Sequence, residues 1–363
     1  MKVKKIEIVL VLFLLSALIA GVLLSVFEKN QYLRSIELGG EWFLNNQDEN
    51  FLHYTYNPIT QEHSTDHHPL REMASMWVIG ELGIFLEDER YSDLTRRGFD
   101  YFEAYFSYDE ENDFYFVQIP GEEPILGNSA FIILSLLQIE HPKKDFYLEK
   151  FANGIMFLQR DNGSLGTKFY SEEDGSEDYY PGEALFAIMY LYEYDQNEEY
   201  LETATKAFPY YSDYWRGNNN TAFVPWQSRA YEKLYKVTKE EQLAEFVFEM
   251  NDYMLEQHNP NGVCSDFDFS KGSVTGVYAE GVNRAYSLSK SFDDSSRRKC
   301  YKNFIVEGMD AIIDLQVRNI SKYELEALGG ISQSTDNLTM RVDRNQHVVM
   351  ALIEAYELGL LGE

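Results

Sequence analysis

Two helical patterns alternate along the chain from Tyr32 to Leu361. The first begins with polar or charged residues and continues in Ala, Leu, Ile, Met and aromatics at helical spacing. Six segments of this kind superimpose: REMASMWVIGEL from Arg71, NSAFIILSLLQI from Asn128, GEALFAIMYLYE from Gly182, QSRAYEKLYKVT from Gln227, EGVNRAYSLSKS from Glu280 and QHVVMALIEAYE from Gln346. Their starts lie 57, 54, 45, 53 and 66 residues apart. The second pattern, near 31–46, 90–106, 145–159, 198–215, 240–257 and 295–317, is longer and more charged on one side, as an outer helix requires.

The stretch Tyr179–Tyr194 shows the inner type most clearly. Pro181 suits a first helical turn, where its missing N–H costs nothing, and Glu183 suits the positive end of the helix. Ala184, Ile188 and Leu191 follow at helical spacing, while Ala187 keeps one side thin. Ahead of each inner segment lies a turn and a short β-prone stretch, at 50–56, 112–117, 162–166, 220–224, 261–264 and 329–332. Asn-Gly and Gly-Gly pairs there supply the positive φ that tight turns need. The connections into the inner helices are therefore long and decorated, and those leaving them are short. Six such hairpins predict an all-α (α/α)6 toroid, one domain over residues 28–363, with the inner-helix N-termini at one mouth. An open solenoid of helical pairs is the alternative. It needs polar capping repeats, and the terminal repeats show no such change.

The first 27 residues do not fit the repeat. Ile8–Phe27 is a 20-residue run without a charge, preceded by Lys2, Lys4 and Lys5. That length spans a bilayer core, so 1–7 is expected to be a cytoplasmic basic stub and 8–27 a transmembrane signal anchor. The remainder then lies outside the cytoplasm. A cleaved signal peptide is the alternative, although no small-x-small site closes the run.

The net charge of −29 becomes −31 without residues 1–27, which argues against nucleic acid as a partner. Cys264 and Cys300 are too few for a disulfide scaffold or a cysteine zinc site; an oxidising exterior leaves their pairing open. Four Asn-x-Ser/Thr sequons, at Asn162, Asn219, Asn319 and Asn337, agree weakly with an external location. No phosphate loop, dinucleotide fingerprint or nucleophile elbow is present. Neither a cofactor nor a metal is expected.

The six hairpins, the turn and strand before each inner helix, and the polar inner-helix starts together resemble the six-hairpin glycosidase superfamily over about Tyr32–Leu361. The resemblance implies carbohydrate binding in the central funnel, as in glycoside hydrolases, sugar epimerases and uronate lyases of this architecture. Leu158–Gly166 resembles a repeat of terpene cyclases and prenyltransferases, but the acidic cyclase signature is absent.

Five clusters stand at the predicted mouth. Asp66, His68, Arg71 and Glu72 enter the first inner helix; the plain alternative is helix capping by Thr65 or Asp66 with solvated histidines. Tyr180 and Glu183 enter the third. Trp226, Gln227 and Arg229 offer an aromatic platform beside donors suited to an anionic sugar. Asp266, Tyr278, Glu280 and Arg284 follow, then Asp343, Arg344 and His347, where arginines stand out in a chain poor in basic residues. Glu183, Glu280 and Asp343 are the expected acid–base residues. Arg229, Arg284 and Arg344 are expected to orient anionic groups, and Tyr180 and Trp226 to stack on sugars. The acidic turn Asp109–Asp113 lacks a full calcium loop and reads as solvated. The sequence thus points to a membrane-anchored extracytoplasmic protein that binds an oligo- or polysaccharide and hydrolyses or epimerises it. A non-catalytic glycan-binding protein is the rival reading. An isoprenoid-processing toroid is a weaker one, since it calls for an apolar funnel.

Overall fold

A computed structural model describes residues 31–259, 261–320 and 322–361. The expected stub and spanning segment, 1–27, lie outside them. Among the described residues no helix is long and apolar enough to cross a membrane.

These residues hold twelve α-helices. Six are inner: α2 (Pro69–Leu86), α4 (Leu126–Leu137), α6 (Tyr180–Asp195), α8 (Val224–Thr238), α10 (Val274–Ser291) and α12 (Val342–Glu357). Six are outer: α1 (31–45), α3 (Glu89–Glu103), α5 (Lys144–Phe157), α7 (Glu198–Gly217), α9 (Glu241–Glu256) and α11 (Ser295–Ile313). Each inner helix packs on the next, and α12 packs on α2. The ring is closed, which excludes the open solenoid.

The burial patterns explain the two layers. In α4 every residue from Leu126 to Leu136 is buried, because neighbours cover it on all sides. In α3 only Tyr91, Leu94, Thr95, Gly98, Phe99 and Phe102 are buried, the single stripe of a helix facing one layer. Close inner packing needs small residues. A Cβ added to Gly182 on α6 would stand 2.7 Å from Trp226 Cβ on α8.

The connections differ at the two ends of the ring. Three inner-to-outer links, 87–88, 196–197 and 239–240, have two residues each, the first of them left-handed (Glu87, Gln196, Lys239). Asp88 and Asn197 then cap the following helix through their side chains. At the other end the connections are longer. Strands β1 (Thr55–Asn57) and β2 (Glu62–His63) form a sheet with β5 (Met340–Arg341), in the order β2-β1-β5. Tyr56 pairs with Met340 in that sheet, so a strand beside α12 joins one beside α2. Strands β3 (Phe106–Asp109) and β4 (Phe114–Val117) form a hairpin. The β-prone stretches at 162–166 and 329–332 contribute single bridges, and those at 220–224 and 261–264 form no strand. Cys264 and Cys300 are disulfide-bonded, which ties the 257–273 connection to α11.

Candidate active site

The long connections and the inner-helix N-termini enclose a cavity of about 420 Å³. Every inner helix or its entrance contributes to its wall. His68, Leu70, Arg71 and Ala74 come from α2 and its lead-in, Phe131 from α4, and Tyr179, Tyr180 and Glu183 from α6. Trp226 stands on α8, Val277 and Tyr278 on α10, and Asp343, Arg344, Gln346 and His347 on α12. A shallower groove continues from it past Tyr180, Lys168 and Glu122.

Glu183 lies in the first turn of α6 and is only 5% exposed. Its Oε2 has no hydrogen-bond partner. Burial pushes its pKa from 4.5 to about 8, with no cation close enough to offset the cost. The helix end favours its anion by only about 0.3–1 kcal/mol, so desolvation wins and Glu183 is protonated at neutral pH. Room for the carboxyl comes from Gly127 on α4, where a Cβ would lie 2.5 Å from Glu183 Oε2.

Three places along the inner ring from α6, hence opposite it, α12 presents Asp343. Burial pushes Asp343 upward, but the Arg341 guanidinium, with Arg71 and Arg344, more than reverses this and holds it below the usual carboxylate range. Arg341 donates to it from Nε at 2.9 Å and from Nη2 at 2.6 Å, and Arg71 Nε stands 3.5 Å away. Tyr54 carries the other side of this group: its hydroxyl accepts from Arg71, and both Arg71 and Arg341 lie over its ring. The cavity therefore faces one neutral carboxyl with one ionised carboxylate.

His347 Nδ1 sits 3.0 Å from Glu280 Oε2. The imidazole is in the wall, while Glu280 is fully buried behind it. His68, also in the wall, is held low by burial and then by Arg71, which keeps it uncharged.

The remaining candidates lie elsewhere. Glu280 is not in the cavity wall. Arg229, 0% exposed, pairs with Glu280 at 3.3 Å and Glu354 at 2.6 Å, against the rings of Trp77, Phe186 and Trp226. Arg284 joins Glu354 and Glu232 further along the same interior. Gln227 is buried outside the wall. Glu72 accepts from the N–H of His68, the N-cap of α2, at 2.8 Å, and neither Thr65 nor Asp66 caps that helix. Asp66 is exposed, and Asp266 sits exposed on a left-handed turn.

Depth along the helix separates the two sets. Glu183 and Asp343 occupy the first turns of α6 and α12. Arg229 and Glu280 stand about one and a half turns inside α8 and α10, whose starts at Val224 and Val274 precede those the sequence predicts. Pro225, a natural first-turn residue, was the available signal. Tyr54 and Gly127 also shape the site, through Arg71 and Glu183, and no short motif in the sequence marks either of them. Among the described residues no group of His, Cys, Asp and Glu is arranged to hold a metal ion.

The architecture has known counterparts. An α-1,6-mannanase of glycoside hydrolase family 76 from Salegentibacter sp. HEL1_6 superimposes with a TM-score of 0.65 at 12% identity, covering 90% of this chain and 99% of that one. The chain has the six-hairpin glycosidase-like fold. A D-mannose isomerase matches with a TM-score of 0.66 at 13% identity, over 92% of this chain and 97% of that one. A family 76 mannosidase from Bacteroides thetaiotaomicron VPI-5482 gives 0.62 at 10% identity, over 90% and 99%. No known family's sequence pattern and no curated protein sequence matches the chain. At these identities the likeness establishes the fold and leaves the chemistry to the site. An inactive variant of the Salegentibacter mannanase, in complex with α-1,6-mannotriose, carries replacements at two consecutive aspartates. The cavity described above is lined by Glu183 and Asp343 on opposite helices and by no such pair.

Proposed function

We propose that this chain is a carbohydrate-processing enzyme of glycoside hydrolase type, anchored by residues 8–27 with the toroid outside the cytoplasm. Glu183 is the general acid: a carboxyl kept neutral at pH 7 can protonate a departing glycosidic oxygen. Asp343 is the ionised carboxylate on the opposite wall, placed to activate water or to stabilise positive charge on the sugar ring. The observation that carries this reading is the buried, unpartnered carboxyl of Glu183 at the cavity wall. Tyr179 and Tyr180 offer rings for sugar faces, and the groove past Lys168 leaves space for further sugar units. Mannanases and mannose isomerase among the structural neighbours support a sugar ligand in a toroid of this kind.

The His347–Glu280 pair supports a second reading, isomerisation or epimerisation of a sugar, in which His347 moves the proton and Glu280 orients it. Product analysis separates the two. Release of new reducing ends from oligosaccharides, abolished in Glu183→Gln, supports hydrolysis. Interconversion of monosaccharides, abolished in His347→Asn and retained in Glu183→Gln, replaces it. Glycan binding with no turnover by the wild type overturns both and leaves a glycan-binding protein. For the anchor, the full chain should resist carbonate extraction from membranes and be digested by protease added outside intact cells; release by carbonate overturns it.

A further inference from the structure

Three guanidinium groups and one carboxylate meet where α12 faces α2, and their partners are unevenly shared. Arg341 spends Nε and Nη2 on Asp343. Arg71 divides itself between Asp343 and the Tyr54 hydroxyl. Arg344 lines the cavity, is more than half buried, and has no ion pair or hydrogen bond among the described residues. Burying an unmatched cation is costly, and in a chain of net charge −29 carboxylates are plentiful. The interior shows the usual solution, since Arg229 and Arg284 each meet two carboxylates. The cavity departs from it. Across from Arg344 the one other carboxyl in the wall, Glu183, is neutral, and His68 adds no compensating charge.

We propose that Arg344, backed by Arg71 and Arg341, is an anion subsite that receives the carboxylate of a uronic acid unit, so that the glycan processed here is acidic. The inference rests on the carbohydrate reading given above and adds the substrate class. A guanidinium is a planar fork that pairs both oxygens of a carboxylate at once, and Arg344 is the arginine of this group whose fork is free. Tyr179 and Tyr278, in the same wall, provide the uncharged surface on which the sugar ring rests. Asp343 then has a second role, holding Arg71 and Arg341 in place so that the local field stays positive within an acidic protein.

The test is calorimetric titration of the full chain with an oligouronate, its carboxyl-reduced neutral counterpart, and sulfated and phosphorylated oligosaccharides of the same length. The wild type should bind the oligouronate about tenfold or more tighter than the reduced form, the scale of a charged hydrogen bond. Arg344→Gln should lose that preference while binding the reduced form like the wild type. Arg344→Lys, which keeps the charge without the fork, should keep part of it and guards against a misfolded glutamine variant. Equal affinity of the wild type for acidic and reduced glycans overturns the inference, as does a preference that survives in both variants. Preference for the sulfated or phosphorylated ligand overturns the carboxylate assignment. Neutral glycans bound and turned over without preference for acid sink this inference and leave the carbohydrate reading standing. No binding to any of the four sinks both.

Discussion

Two ionic groups lie in the same ring and are built from the same residue types, yet they are in opposite states. In the interior Arg229 and Arg284, with Lys236, pair with Glu232, Glu280 and Glu354, and Arg229 lies against the rings of Trp77, Phe186 and Trp226. At the mouth Glu183 has no cation, and Arg344 feels Asp343 nearby but makes no ion pair or hydrogen bond among the described residues. A buried network such as the interior one is a feature of packing: its Coulomb gain roughly repays desolvation, and it stands outside the cavity wall. An unmatched pair in a cavity is a standing cost that only a ligand or a transition state relieves. The difference shows that burial and charge alone do not mark a site; an unpartnered group facing the cavity does.

Breaking the interior should have the largest effect. Arg229→Gln removes the guanidinium that Glu280 and Glu354 share in a low-dielectric core and should cost about 3–5 kcal/mol of stability, read as a large drop in melting temperature or as loss of folded protein. A variant as stable as the wild type would show that the interior network is not a matched set. Removing the acid at the mouth should have the converse signature. Glu183→Gln should lower turnover by about 10²–10⁴-fold and leave the fold intact. Its stability should also depend less on pH. With a folded pKa of about 8 against 4.5 unfolded, the unfolded chain releases the proton first, so the wild type loses stability as pH rises from about 4.5 to about 8. Glutamine removes that slope, and parallel pH–melting curves for the two proteins would refute the assignment. For the same reason wild-type turnover should decline as pH rises through about 8.

Gly127→Ala tests the junction between packing and chemistry. Its Cβ would stand 2.5 Å from Glu183 Oε2 and 2.9 Å from Leu70 Cδ1, so stability should fall by about 1–3 kcal/mol and turnover should fall with it. Full turnover would mean that Glu183 acts from another position. The smallest effect belongs to the exposed pair of Arg216 and Glu249, 2.7 Å apart. Arg216→Ala should change stability by less than about 1 kcal/mol and turnover not at all, which sets the baseline for the other three.

Much of this was legible before the fold was known. Six starts such as Gln346-His347 and Gly182-Glu183 announced six inner helices, and Pro181 fixed the register of α6 well enough to put Glu183 at the mouth. Depth was not legible where that register was missed by a few residues. At 1.5 Å per residue, starting α8 at Gln227 instead of Val224 lifts Arg229 by about a turn, from the interior to the rim. Glu280 was displaced in the same way, by six residues of α10. Nor does a sequence state which charges find partners. That Arg341 closes on Asp343 while the neighbouring Arg344 stays open depends on where β5 and Tyr54 bring the chain.

The seam of the ring has a consequence for the order of assembly. Outer helix α1 packs where a Cβ on Gly39 would meet Val349 of α12, and Tyr32 O–H donates to Asp310, 278 residues away. During synthesis five of the six inner helices can be present while one wall of the basin is still missing, and that wall carries Asp343, Arg344 and His347 together. Contacts so far apart in sequence close late and slowly. The half-made toroid therefore has an open apolar flank and no working centre until the final hairpin shuts, so acquisition of activity and completion of folding should be one event.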